Sequence, residues 1–205
     1  MSKSSKILDV GCGRGKILGN LSIKLKLKIK PLGIDLKNHK DRNKRFIFRK
    51  IDALTFFKKN KKTFDLILIK QTIHLLKIKE IKRLLYFCKN KLAPNGKIVI
   101  FFLDPVQNQI PTFPLMAKQL GISHSRDQKI IKLIFKLYPG CTTKKFIFNV
   151  RISKKKYLEM IENRYISTLL KFNTKEILKG INEINSKYKH LLKFKDKLQC
   201  IIIKK

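Results

Sequence analysis

The chain has 205 residues, 43% of them hydrophobic, which is enough for one domain-sized core without disulfide or metal staples. Its net charge of +36, from 49 Lys+Arg against 13 Asp+Glu, points on its face to nucleic acid or an anionic surface. The longest apolar run, residues 98–103, is of strand length and far below the roughly eighteen residues of a membrane span, so no membrane partner is expected.

The first predicted strand covers residues 6–10. A Gly-rich turn at 11–15 follows it and opens a helix to about residue 24. Residues 24–30 alternate Lys with apolar residues, a local strand pattern. The glycine turn needs a helix directly after it, so the helical reading prevails there. Further strands are predicted at 31–35, 45–50 and 64–70, then a helix at 78–91. A turn at Ala93-Pro94-Asn95-Gly96 leads into a fifth strand at 97–103. Residues 104–125 hold Pro105, Pro111 and Pro114 and show no period, which predicts a loop or cap over one sheet edge. A helix at 129–137 closes at Tyr138-Pro139-Gly140, and a strand follows at 145–152. Helices are then expected from Ser153 to about 163 and from Asn173, where Asn173-Thr174-Lys175-Glu176 has the form of a capping box. The last predicted strand covers 198–203. Short Ile-rich runs alternating with helices predict a doubly wound, mostly parallel α/β sheet in one domain spanning 1–205.

Carboxylates are rare, so their positions inform. Of the first five, Asp9, Asp35, Asp52 and Asp65 each sit at the edge of a short apolar run; Asp41 does not. Asp9-Val10-Gly11-Cys12-Gly13-Arg14-Gly15 requires a tight strand-to-helix turn with backbone close to a ligand, which glycine supplies. Asp35 lies 20 residues after Gly15, at the end of the second strand, where a carboxylate can accept the hydroxyls of a ribose. Asp52-Ala53, after the third strand, would then hold an adenine.

These residues, with Gly33-Ile34-Asp35-Leu36, Phe64-Asp65-Leu66-Ile67 and Leu92-Ala93-Pro94-Asn95-Gly96, occur in order over the first hundred residues. The series resembles that of class I S-adenosylmethionine-dependent methyltransferases. The resemblance implies a Rossmann-like sheet of seven strands, the last antiparallel, with 145–152 and 198–203 as its sixth and seventh. It implies S-adenosyl-L-methionine as cofactor, with Gly11, Cys12, Gly13 and Gly15 in the turn around its amino-acid part and Asp9 beneath its ammonium. Asp35 would take the ribose, Leu36 and Asp52-Ala53 the adenine, and Lys70 and Gln71 would border the methionine moiety. No metal is implied.

The run after the fourth strand, Lys70-Gln71-Thr72-Ile73-His74, lacks the Asn/Asp-Pro-Pro-aromatic tetrapeptide of base N-methylating relatives. Its Gln-x-x-His pattern is similar to small-molecule methyltransferases, including the trans-aconitate methyltransferase-like branch. Asn163-Arg164-Tyr165-Ile166-Ser167 is similar to that branch's cap segment. His74 is the candidate base or orienting donor, and Arg164 with Tyr165 would bind an acidic acceptor group unless Arg164 simply ends a helix. Relatives carry lid helices before the first strand. Here about five residues precede it, so those helices are expected to be missing, with a substrate cap within 104–170.

The charge has a second reading. Lys numbers 41 and Arg only 8, alongside 29 Ile and 3 Ala. That is the balance of AT-rich codons, and Arg, the forked phosphate binder, is scarce. Nucleic acid is therefore not favoured as partner over a small-molecule acceptor such as a carboxylate. An RNA- or ribosome-associated methyltransferase and a non-catalytic cofactor-binding domain remain the alternatives. Cys12, Cys88, Cys141 and Cys200 are scattered without a C-x-x-C pair, which reads as reduced thiols in a cytoplasmic protein.

Overall fold

The computed structural model describes residues 1–104 and 109–205. The chain packs as two compact units. Residues 1–101, 134–144 and 200–205 make the first, and 102–133 with 145–199 the second.

In chain order the elements are β1 (Ile7–Val10), α1 (Lys16–Lys24), β2 (Leu32–Asp35), β3 (Ile47–Lys50), α2 (Ala53–Lys59), β4 (Phe64–Lys70), α3 (Ile78–Asn90) and β5 (Leu92–Leu103). Then come α4 (Pro114–Leu137), β6 (Thr142–Ser153), α5 (Lys154–Glu162), α6 (Thr174–Lys187) and β7 (Leu191–Lys204). The seven strands form one sheet in the order β3-β2-β1-β4-β5-β7-β6. β1 pairs in parallel with β2 and β4, as do β2 with β3 and β4 with β5. The Asp104 N–H donates to the Lys197 carbonyl at 2.8 Å and the Lys205 N–H to Gly96 at 3.0 Å. Numbers rise along β5 as they fall along β7, so β7 runs antiparallel, as expected.

In the first unit, Ile7, Leu8 and Val10 of β1 and Ile67, Leu68 and Ile69 of β4 are buried without alternation. That is how strands read when both faces are covered. Helix α3 buries Ile81, Leu84, Leu85 and Cys88, a stripe of helical period. The predicted turn at 93–96 lies inside β5: the register shifts between Phe64↔Leu92 and Leu66↔Lys97, and Asn95 takes φ 63° within the bulge. Residues 25–30 are neither helix nor strand.

The second unit has its own core, built around Phe113, Met116, Tyr157, Ile161 and Ile184. The Tyr157 hydroxyl donates to the Pro111 carbonyl at 2.6 Å. The capping box at α6 is present: Asn173 Oδ1 accepts the Glu176 N–H at 2.9 Å, and Glu176 Oε2 accepts the Asn173 N–H at 2.8 Å. One expectation fails here. Much of the loop predicted over 104–125 is helix, because α4 begins at Pro114, where a proline's missing N–H costs nothing. Pro105, in the same prediction, lies outside the described residues. β6 and β7 are also longer than predicted, at 142–153 and 191–204.

Candidate functional site

Because β3, β2, β1 and β4 are parallel neighbours, their carboxyl ends line one sheet edge. The chain steps from β1 to β2 on one side and to β4 on the other, the switch point where α/β sheets bind ligands. Every cofactor-site residue expected from sequence belongs to that edge or to the loop leaving it.

The turn after β1 is held by its own backbone. The Gly11 and Cys12 N–H groups donate to the Ile34 carbonyl at 2.8 and 3.1 Å, and Gly15 N–H to Cys12 at 2.9 Å. Gly11 takes φ 75°, and a Cβ there would fall 2.2 Å from Thr72 Oγ1. Gly13, at φ 52°, has no atom of the described residues within 4 Å of where its Cβ would stand. One glycine is thus required by packing, while the other leaves open space. Gly15 is the left-handed N-cap of α1, closed against Phe46.

Asp35 ties this turn to the end of β2. Its Oδ2 accepts the Gly13 N–H at 2.8 Å and its Oδ1 the Lys37 N–H at 2.9 Å. Each oxygen keeps acceptor capacity for a further hydroxyl. Leu36 beside it is 66% exposed, an apolar side chain presented outward. Asp52 has a structural duty that its sequence position did not announce: it N-caps α2, its Oδ1 accepting the Thr55 N–H at 3.0 Å. Ala53 opens that helix.

Asp9 is 2% exposed, and its Oδ1 has no hydrogen-bond partner among the described residues. Burial pushes its carboxyl up to about 7, the Lys70 ammonium pulls it down, and Asp35 pushes it up. A buried carboxylate oxygen in this state fits a cationic ligand group. Cys12 packs its sulfur where a Gly33 Cβ would be. Burial first, then Asp9 and Asp35, raises its thiol far above the usual range, so it remains a neutral thiol.

After β4, Gln71 takes φ 52° while its N–H donates to the Phe101 carbonyl at 3.1 Å. Thr72 Oγ1 donates to the Lys70 carbonyl at 3.0 Å and lies 3.4 Å from the Gly11 carbonyl. It therefore braces the turn after β1 against the turn after β4. Sequence reasoning missed Thr72 and Phe46, since a contact 61 or 31 residues distant has no local signal. His74 sits half-buried in the short 3-10 turn Ile73–Leu75. Arg164 ends α5 in the left-handed region at φ 51°: its N–H donates to Ile161 O and the Tyr165 N–H to Met160 O, each at 3.0 Å. The Arg164 guanidinium donates to the Phe172 carbonyl at 3.2 Å.

Comparison with known proteins agrees with this architecture. A family model described as "Methyltransferase domain" matches residues 8–98, a little under half of the chain. A SAM-dependent methyltransferase from Archaeoglobus fulgidus is 22% identical over 98% of this chain and 86% of its own, with a TM-score of 0.56. A phosphoethanolamine N-methyltransferase from Haemonchus contortus, solved with phosphomonomethylethanolamine and S-adenosylhomocysteine, is 18% identical. That match covers all of this chain but half of that one, at a TM-score of 0.54. The plantazolicin methyltransferase BpumL, with a desmethylplantazolicin analogue and S-adenosylhomocysteine, is 18% identical over 98% and 76% of the two chains, at 0.53. No curated protein sequence gives a match. Residues 8–98 are thus similar to a methyltransferase domain, and the whole chain shares the fold of S-adenosylmethionine-dependent methyltransferases. A methyltransferase domain implies an enzyme with S-adenosyl-L-methionine as cofactor.

Proposed function

We propose that the protein transfers a methyl group to a small-molecule acceptor, a carboxylate being the favoured kind, at the carboxyl edge of β1, β2 and β4. The observation that carries the cofactor site is Asp9, whose buried oxygen, without a partner among the described residues, lies at the base of a glycine turn open at Gly13. The cofactor, when bound, supplies a methyl group on a sulfonium, already an activated leaving group. This chain's residues then have to hold the ligand, orient the acceptor and keep water away. Asp9 would accept from the cofactor ammonium. The backbone of Gly11, Cys12, Gly13 and Gly15 would follow its amino-acid part, and Lys70 and Gln71 would border it. Asp35 would take the ribose hydroxyls through lone pairs that the Gly13 and Lys37 amides leave. Leu36 and Ala53 would pack against the adenine, with the second oxygen of Asp52 reaching its amino group.

His74 would serve as base, or as the donor that orients the acceptor. The small-molecule reading is supported by the Lys70–His74 run, which lacks a base-gripping tetrapeptide, and by the two neighbours solved with small acceptors. The reading keeps 1–205 as one methyltransferase domain, with 104–170 contributing to acceptor choice. Four free cysteines support a cytoplasmic setting, and among the described residues no helix is long and apolar enough to cross a membrane.

Calorimetric titration with S-adenosylhomocysteine, with NAD as control, tests the proposal. Micromolar binding of the former alone is expected. Asp35→Ala should weaken it about tenfold or more while the circular dichroism is unchanged. An Asp35→Ala protein that binds as tightly as the parent refutes the ribose assignment.

A further inference from the structure

Strands β1 and β4 are parallel neighbours in the register Val10↔Ile69, so the glycine turn and the loop after β4 leave the sheet side by side. The contacts of the glycine turn divide between two directions. Gly15 closes on Phe46, and Cys12 packs where a Gly33 Cβ would stand, which ties the turn to β2 and the approach to β3. Gly11 meets Thr72 instead, so closely that a Cβ there would overlap both the hydroxyl and the methyl of Thr72. Thr72 is also the N-cap of the 3-10 turn Ile73–Leu75, and its carbonyl accepts the Leu75 N–H at 2.9 Å. One residue thus touches the glycine turn with its side chain and starts the His74 turn with its backbone.

We infer that Thr72 is a positioning residue, through which occupancy of the glycine turn orders the turn that carries His74. The inference rests on the cofactor reading proposed above. A single 3-10 turn holds itself weakly, because its hydrogen bonds are poorly aligned. Here Ile73 is fully buried, while Leu75 at the other end is 58% exposed. Thr72 adds a hold from outside the turn. Its hydroxyl has one hydrogen to share between two carbonyls, Lys70 at 3.0 Å and Gly11 at 3.4 Å. A ligand seated on Gly11 and Gly13 restrains the backbone against which Thr72 packs, and close-packed neighbours pass such a restraint on. His74 is then set once the cofactor is in place, so the cofactor binds before the acceptor.

Hydrogen exchange of the full chain tests this, with and without saturating S-adenosylhomocysteine, read by mass spectrometry in peptides spanning 9–18 and 72–78. In the parent both peptides should exchange at least about fivefold more slowly with the ligand. Thr72→Ser keeps the hydroxyl and should behave like the parent. Thr72→Val keeps the branched shape but loses the donor, so 9–18 should still be protected and 72–78 should not. Thr72→Ala also lacks the donor and gives the same reading if thermal melts show that valine unsettles the fold. Parent-level protection of 72–78 in the valine and alanine variants overturns the inference. Loss of protection in both peptides alike also overturns it, because Thr72 would then only support the glycine turn. A parent that binds S-adenosylhomocysteine with 72–78 unchanged refutes the coupling alone, whereas a parent that does not bind it refutes the proposed cofactor site as well.

Discussion

Asp9 holds a proton that the unfolded chain would not. Its carboxyl titrates at about 7 in the fold against 3.8 outside it, with burial as the main cause. Between these values the folded state binds more protons than the unfolded one, so stability falls as pH rises from about 4 to about 7 and is level above. The loss attached to this one group is on the order of 4 kcal/mol. A bound ammonium reverses the preference by favouring the ionised form. Affinity for S-adenosylhomocysteine should therefore climb several-fold from pH 5.5 to 7 and level off by pH 8. Asp9→Asn should flatten that profile, lower its plateau, and stabilise the unliganded protein at pH 8. Calorimetry and thermal melts over the same pH series check both. An Asp9→Asn profile as steep as the parent's would remove Asp9 from the ligand. Asp9 and Asp35 were legible from their rarity and their places at strand ends. The capping duty of Asp52 and the bracing by Thr72 were not, because each depends on where a backbone amide or a distant glycine ends up.

Helix α3 shows how directly period becomes packing. Ile81, Leu84, Leu85 and Cys88 are fully buried, so Leu84→Ala should cost about 2–5 kcal/mol, transfer and cavity combined. A shift in urea midpoint at constant slope reads this out, and a loss below 1 kcal/mol would mean the site collapses around the gap. Strands β1 and β4 and helix α3 were visible in the sequence because each has a uniform pattern. Helix α4 was not. Its buried positions Met116, Leu120, Ile130, Ile131 and Ile134 keep a helical period, but buried Asp127 and half-buried His124 interrupt the apolar stripe. Gly121, Ser123 and Ser125 weaken the local propensity further. The turn at 93–96 was correctly placed yet misread in kind. A turn signal and a bulge signal are the same residues, and only the register of β4 against β5 tells them apart.

A chain of formal charge +36 repels itself in the compact state. Raising salt from about 0.01 M to 0.15 M shortens the screening length from roughly 30 to 8 Å. The thermal midpoint should accordingly rise by several degrees over that range, as calorimetric scans would detect. A midpoint that stays flat would mean the lysines are too dispersed to matter.

The insertion of β7 between β5 and β6 has a consequence for how the protein is made. Synthesis delivers β5, which pairs with β4 already made, and then β6, yet the outer edge of β5 and the inner edge of β6 stay open until residues 191–204 follow. For roughly forty residues of translation, two strand edges await the same late arrival, and a long edge without a partner invites pairing with another chain. Completion of the sheet therefore comes after, not during, the emergence of the cofactor half. The nascent protein passes through a stage in which the β1–β4 edge is assembled while its far side is still open to chaperones.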